Sequence, residues 1–456
     1  MKTLDQIAAE LQGYDPQALS ASAVNAFLSE LVAPVTEREN VSVFDALGRV
    51  LAEDIVSPIS VPPHDNSAMD GYAFDGAQLR AGQPLTLRML EGTAFAGKAW
   101  TGTVAPGACV KIMTGAIMPA GLDTVVPQEL TLAADGGITV PAGALQRGDN
   151  RRLLGEDLMA GRPALRAGTR IGPAALGLIA SLGLATVPVL RRVRVAYFST
   201  GDEILSLGEA PREGAVYDSN RYTVYGLLTR LGLEVIDLGV VRDDPATLEA
   251  AFRQAARQAD AIITSGGVSV GEADHTKAMM KKLGDVAFWR IAMRPGRPMA
   301  VGRIQASTGD GRFAAGPPQG ESVPMGGSEP RAAGSVGALM FGLPGNPVAV
   351  MVTFLAFVRP ALLKLMGVAD VAAHTPPLLK ARCLEPLRKK PGRTEYQRGT
   401  VSTAADGTLQ VRTTGNQGSG VLSSMVEGNG LIVLHHAQGN VAVGDAVDVM
   451  VFDGVI

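Results

Sequence analysis

Asp260-Ala-Ile-Ile-Thr-Ser-Gly-Gly-Val-Ser-Val-Gly271 is the stretch that decides the fold. Asp260 to Thr264 reads as a short buried strand, the glycines and hydroxyls after it as a turn, and Ala273 to Leu283 as a helix. The same unit repeats outward. Upstream lie Val193-Arg-Val-Ala-Tyr-Phe-Ser199, a helical stretch from Asp218 to Leu231, Glu234-Val-Ile-Asp-Leu-Gly-Val-Val241 and an amphipathic stretch from Pro245 to Gln258. Downstream come Val286-Ala-Phe-Trp-Arg-Ile-Ala292, Leu339-Met-Phe-Gly-Leu343 and a long apolar helix from Pro347 to about Met366. Strands alternating with helices predict an α/β, doubly wound parallel sheet with both faces covered. In such sheets ligands sit beyond the C-terminal ends of the strands, so the loops there are where chemistry is expected.

The remaining sequence is too long for that domain alone. At about 150 residues per domain, 456 residues predict roughly three modules. We read a discontinuous N-terminal linker module in 1–55 and 148–190, whose two helical stretches, Ala21 to Leu31 and Pro173 to Leu182, are expected to pack together. Residues 56–147 read as a β-rich domain, 191–372 as the α/β domain, and 373–456 as a small C-terminal β-barrel-like domain with a hairpin at Asp406-Gly407. Within the α/β domain, 305–336 holds Gly, Pro, Ser and Ala with almost no large apolar residue, which predicts a disordered insertion. Ile171 to Leu190 is uncharged and long enough on paper to span a membrane, but Pro173, Gly183 and Thr186-Val-Pro-Val-Leu190 divide it into a short helix and a strand.

Composition excludes several classes. With 46% hydrophobic and 19% charged residues the chain can bury a core. The 41 Lys+Arg against 44 Asp+Glu leave a net charge of −3, without the basic surplus that nucleic-acid binding needs. Cys109 and Cys383 make neither a disulfide framework nor a metal set, and no export signal opens the chain, so a cytoplasmic protein without membrane or nucleic-acid partners is expected.

The loops at the sheet edge suit an anion. Ser265, Gly266, Gly267, Ser269 and Gly271 offer close backbone approach and successive N–H and O–H donors, although the loop is neither a Walker motif nor GxGxxG. Gly342-Leu-Pro-Gly-Asn-Pro347 ends another strand, with Asn346 placed to cap the following helix. Arg294-Pro-Gly-Arg297 carries two guanidiniums on a turn that suit a tetrahedral oxyanion, with a solvated pair of arginines as the competing explanation, which the turn by itself favours. Acids gather there too: Glu203, Asp243, Asp244 and Asp274. Carboxylates beside an anion cradle imply an intervening hard cation such as Mg²⁺, with helix capping as the competing explanation for Asp244 and Asp274. Residue chemistry alone stops at a mononucleotide or phosphoanhydride ligand.

Taken together, Asp65-Asn-Ser-Ala-Met-Asp-Gly-Tyr-Ala73, Met113-Thr-Gly-Ala116, Gly155-Glu-Asp157, Ser199-Thr-Gly-Asp-Glu203, Tyr217-Asp-Ser-Asn220, the Ser265 to Asp274 loop and Gly342-Leu-Pro-Gly-Asn-Pro-Val348 resemble the molybdopterin molybdenumtransferase (MoeA) family, including the E domain of gephyrin-like proteins. The resemblance covers nearly the whole chain. It implies an elongated homodimer of four-domain subunits, with the α/β domain of one facing the Asp65 loop of the other. It also implies the reaction: molybdate enters the dithiolene of adenylylated molybdopterin as AMP leaves, assisted by Mg²⁺. On this likeness Asp65, Thr114, Asp157, Glu203, Asp244 and Asp274 match positions tied to activity, Glu203 and Asp274 the metal, and Pro344 and Pro347 the loop prolines. Transient contact with molybdopterin adenylyltransferase and downstream cofactor enzymes is also implied. The family's usual Lys-Pro-Gly-Lys turn is here built on Arg294 and Arg297. Two alternatives remain: the adenylyltransferase, against which the extra modules count, and a non-catalytic gephyrin-like scaffold, against which the retention of Asp65 and Glu203 counts.

Overall fold

The computed structural model describes residues 2–267, 275–305 and 337–454. Of the insertion read at 305–336, all but Gln305 lies outside the described residues.

At the centre is a six-stranded sheet in the order Glu234–Val241, Arg194–Thr200, Ala261–Ser265, Ala338–Leu343, Pro298–Ile304, Gly284–Arg290. Successive side chains leave a strand on opposite faces, so each central strand feeds two cores. Tyr197, Ile263 and Phe341 join one core with the Pro347 helix. Ala196, Phe198, Ile262 and Met340 join the other with helices Pro245–Gln258 and His275–Leu283. There Phe198 meets Phe252 edge to face at 5.1 Å. The sheet departs from the expected all-parallel form in one strand. Pro298–Ile304 runs antiparallel to both its neighbours. Only Ile291 to Arg297 separates it from the preceding strand, too short for a crossover helix, and so the chain must turn back.

Pro347–Leu365 is one continuous apolar helix with a π-helical turn at Phe354–Val358, and 89% of its apolar window is buried inside the fold. By length and composition it could cross a bilayer; here it is a core helix. The uncharged segment after Arg170 likewise divides into helix Pro173–Ser181 and strand Thr186–Leu190.

That strand returns to the start of the chain and pairs antiparallel with Arg38–Ser42, so the linker module is built from two distant pieces. The two early helices, however, enter different cores. Helix Ala21–Leu31 buries Val24, Phe27, Leu28 and Leu31 in the α/β core, with Phe27 edge-on to Trp289 at 4.9 Å. Helix Pro173–Ser181 fully buries only Ile179. Its face is too small to cover the broad stripe of the first helix, which finds a larger apolar surface on the sheet domain.

Residues 71–140 hold a second six-stranded sheet. In the C-terminal region Thr394–Thr403, Leu409–Thr413, Leu379–Cys383, Ala446–Val451 and Gly430–Leu434 close into a five-stranded barrel, because the first and last of these also pair. The hairpin at Asp406-Gly407 is present, with Gly407 at φ +82°. A short strand, Met293–Arg294, leaves the α/β domain and adds in parallel to Thr394–Glu395 of the barrel. This pairing brings the arginine turn of one domain against the rim of the other.

Candidate active site

A cleft of about 1280 Å³ opens at the C-terminal ends of the central strands and reaches across to the barrel. Ser199, Thr200, Ser265, Gly266 and Gly267 form its floor, with Pro344 and Pro347 on the loop beside them. Tyr197, Ser199 and Ser265 share a buried ring of hydroxyls, with Tyr197 to Ser265 at 2.6 Å, Tyr197 to Ser199 at 2.8 Å and Ser199 to Ser265 at 3.2 Å. Burial pushes the Tyr197 phenol well above its ordinary range, so it stays protonated and can donate within the ring.

Two glycines on this floor are forced by space and backbone conformation. Gly266 has φ +91°, and an added Cβ would lie 2.4 Å from the Thr200 carbonyl oxygen. Gly267 has φ +65°, and a Cβ would lie 2.6 Å from the Thr276 side chain. The Gly266 N–H already donates to Leu343 O at 3.2 Å, so this amide serves the fold rather than a free anion cradle. Ser269, Gly271 and Asp274 lie outside the described residues.

The cleft lining carries both signs of charge: Glu203, Asp218 and Asp243 among its acids, and Arg294, Arg297 and Arg393 among its bases. Of the neighbouring acids, Asp243 faces the cleft and accepts from Thr276 Oγ1 at 3.3 Å. Asp244 instead caps helix Pro245–Gln258, accepting from the Thr247 N–H at 3.0 Å. Hydrogen bonds from Thr247 hold its carboxyl below the ordinary range. Asp244 thus serves as a helix cap and is not among the residues lining the cleft. Asp218 caps helix Ser219–Leu231 and, with Asn220, also lines the cleft. The oxygen donors are hard and suit a cation such as Mg²⁺, but among the described residues no three His, Cys, Asp or Glu side chains gather into a metal site.

The barrel supplies residues that sequence reasoning missed. Arg393 reaches the cleft from the start of strand Thr394–Thr403, its Nε donating to Glu395 Oε1 at 2.8 Å. Gln417, Ser419 and Gly420 line the same edge. Asn346 stands at the N-cap position of the Pro347 helix but makes no side-chain cap; its amide donates to Ser419 Oγ at 3.0 Å. A capping residue by pattern is thus a link between domains. No local signal marks Arg393, which is placed only by the long-range pairing with Met293–Arg294.

The motifs of the first half meet elsewhere. Asp65 accepts from the Leu154 N–H at 2.7 Å and lies 3.4 Å from the Arg151 guanidinium. Gly115 N–H donates to Ser67 O at 2.8 Å, tying the Thr114 turn to the same loop. Thr114 bonds to Asp70 rather than Asp65, with both its N–H and its hydroxyl 2.7 Å from Oδ1. Asp157 is exposed, with its N–H donating to Val61 O at 3.1 Å. Asp65 lines a second cleft of about 650 Å³ with Asp123, Arg147 and Arg151. Among the described residues the two clefts have no lining residue in common.

Comparisons with known proteins cover almost the whole chain. Residues 19–183 match the MoeA N-terminal region (domain I and II), 196–364 a probable molybdopterin binding domain, and 380–452 the MoeA C-terminal region (domain IV). A molybdopterin molybdenumtransferase of Haemophilus influenzae is 40% identical over 422 residues, covering 92% of this chain and 95% of that protein. A Nostoc protein of the same name is 34% identical over 91% of this chain and 88% of its own length. Gephyrin of Dictyostelium discoideum is 30% identical over 90% of this chain, which spans 59% of it. The crystal structure of a molybdopterin biosynthesis MoeA protein from Pyrococcus horikoshii superposes with a TM-score of 0.73 at 25% identity, covering 95% of this chain and all of that one.

Proposed function

Because the chain belongs to the molybdopterin molybdenumtransferase (MoeA) family, we propose that its large cleft joins molybdate to adenylylated molybdopterin with release of AMP, forming molybdenum cofactor. One observation carries this reading: guanidiniums from two domains, Arg294 and Arg297 beside the sheet and Arg393 on the barrel rim, line one cleft together with the carboxylates of Glu203, Asp218 and Asp243. The arginines would hold molybdate and phosphate oxygens by charge-assisted hydrogen bonds. The hydroxyl and glycine floor receives the phosphoanhydride at the strand ends. Water adds at one phosphorus as the P–O–P bond breaks, so that AMP carries away one phosphate and molybdopterin keeps the other, and the dithiolene sulfurs bond molybdenum by displacing molybdate oxygen, which leaves as water.

Mg²⁺ would be held by Glu203 and Asp274 with phosphate oxygens and water completing its shell, and would supply neutralisation of charge on the breaking anhydride. The second cleft, with Asp65 and the Thr114 and Asp157 segments bonded around it, would complete the site from the partner subunit of a homodimer. The adenylylated substrate must come from an adenylyltransferase, with which transient contact follows, as with the enzymes that take the finished cofactor. Two free, buried cysteines accord with a cytoplasmic setting.

The test is AMP release from adenylylated molybdopterin. It should require molybdate and Mg²⁺ and stop on chelation of the metal. Equal release without molybdate would refute the transfer.

A further inference from the structure

Two buried acceptors on residues that line the cleft lack a donor among the described residues. Asp218 is 4% exposed and Asn220 8%, and both line the cleft. Asp218 Oδ1 accepts from the Arg221 N–H at 3.0 Å, but its Oδ2 has no partner. The Arg221 guanidinium cannot fill the gap, because it is turned to Asp237 at 2.8 Å. Asn220 donates its amide N–H to the Gly345 carbonyl at 2.7 Å, and this orientation leaves Oδ1 unpartnered. Each side chain is therefore anchored by one atom and left with a buried, unpartnered oxygen at the other. Buried oxygens without donors are unfavourable, and a ligand that supplies two donors relieves both at once.

We propose that Asp218 and Asn220 form a binding subsite for a hydrogen-bond-donor edge of the substrate. Resting on the reaction proposed above, that edge is either the ribose hydroxyl pair of the adenylyl half or the ring N–H and amino group of the pterin half. Both present adjacent donors, which suit one anionic and one neutral acceptor carried by the same helix start. A divalent cation fits less well. Only one carboxylate oxygen is open, its companion is a neutral amide, and no three potential ligands gather among the described residues.

Asp218→Ser isolates the open oxygen, since serine still caps the helix at Arg221 N–H while Oδ2 is removed. Titration calorimetry on the full chain should show roughly tenfold to hundredfold weaker binding of either AMP or 6-hydroxymethylpterin, from the loss of a charged hydrogen bond. If AMP is affected, wild type and variant should bind 2′,3′-dideoxy-AMP alike, which assigns the ribose. If the pterin probe is affected, the pterin edge is assigned. In turnover, KM for adenylylated molybdopterin should rise with kcat nearly unchanged. Should Asp218→Ser melt earlier than wild type, Asp218→Asn, which keeps shape and cap, takes the same readouts and should weaken the same probe. Unchanged probe affinity and KM would overturn the subsite. So would a variant in which only the Mg²⁺ requirement moves, which would give Oδ2 to the cation. A wild type that releases AMP without molybdate would overturn the reaction and leave the binding comparison to decide the subsite.

Discussion

Replacing Arg398 with methionine should loosen the barrel's wall of the cleft. Arg398 is 1% exposed in strand Thr394–Thr403. Its guanidinium donates to Ser424 Oγ at 2.9 Å and to the Asn416 and Gly418 carbonyls at 3.2 and 2.9 Å. Methionine fills much of the same volume, so the cost lies in the lost donors. Ser424 keeps its bond to Val421 O at 2.6 Å, but the two carbonyls lose a partner. At about 1–3 kcal/mol for each unsatisfied group the gross loss is roughly 2–6 kcal/mol. Part of it is returned. Burial, with the Arg294 charge adding to it, pulls the Arg398 guanidinium below its ordinary pKa, so removing the cation relieves a desolvation cost. A net loss of about 2–4 kcal/mol is expected. Gln417, Ser419 and Gly420 line the cleft, so KM for molybdate should also rise severalfold, with Arg398→Lys intermediate because a point charge replaces a fork. Hydrogen exchange over the barrel reads the stability locally, which matters in a chain too large for two-state unfolding. If Arg398→Met exchanges like wild type and keeps its molybdate KM, the loop is held by other bonds and the reasoning fails.

Arg393→Ala should weaken molybdate dependence by roughly tenfold to a hundredfold; because Glu395 would then be buried without its partner, the double variant with Glu395→Gln separates lost binding from lost stability, and unchanged molybdate dependence in both removes Arg393 from the site. Hydrogen bonds from the Thr114 hydroxyl and N–H hold the Asp70 carboxyl below its ordinary range. Its stabilisation is therefore present above the unfolded pKa of about 3.9 and lost as pH falls through the lower folded value. Thr114→Val should move that loss to higher pH, and an unchanged Asp70 carboxyl titration by NMR would contradict the bond. Mixing Asp65→Ala and Asp274→Ala chains should restore about a quarter of wild-type turnover, since half the dimers are mixed and each regains one site of two. Mixed dimers that form but stay inactive would place the whole site within one subunit.

The α/β domain was legible because its signals are local. Apolar runs end in turn residues, Asp218 and Asp244 cap their helices, and Gly232 ends one at φ +83°. What escaped depends on distant partners. Helix Ala21–Leu31 shows its apolar stripe openly, but nothing in the stripe says that Trp289 lies opposite. Strand Pro298–Ile304 follows a turn read only for its arginines, and its reversal comes from the shortness of the connection.

The site divides along the same line. Loops at the strand ends could be named because topology sends them to one edge, whereas Arg393 and Ser419 arrive through a two-residue strand pairing and an amide that leaves its cap. Asp243 and Asp244 are identical in type and adjacent, so pattern alone cannot rank them. The helix start ranks them: the N-cap position draws Asp244 onto the Thr247 N–H, while its neighbour, in the bend after the strand, accepts from Thr276 and lines the cleft. A carboxylate engaged by backbone donors has little left for a ligand, while Asp218 shows that a cap can spend one oxygen and still present the other. The second oxygen, rather than the residue type, therefore decides which acids of the edge can take part in chemistry.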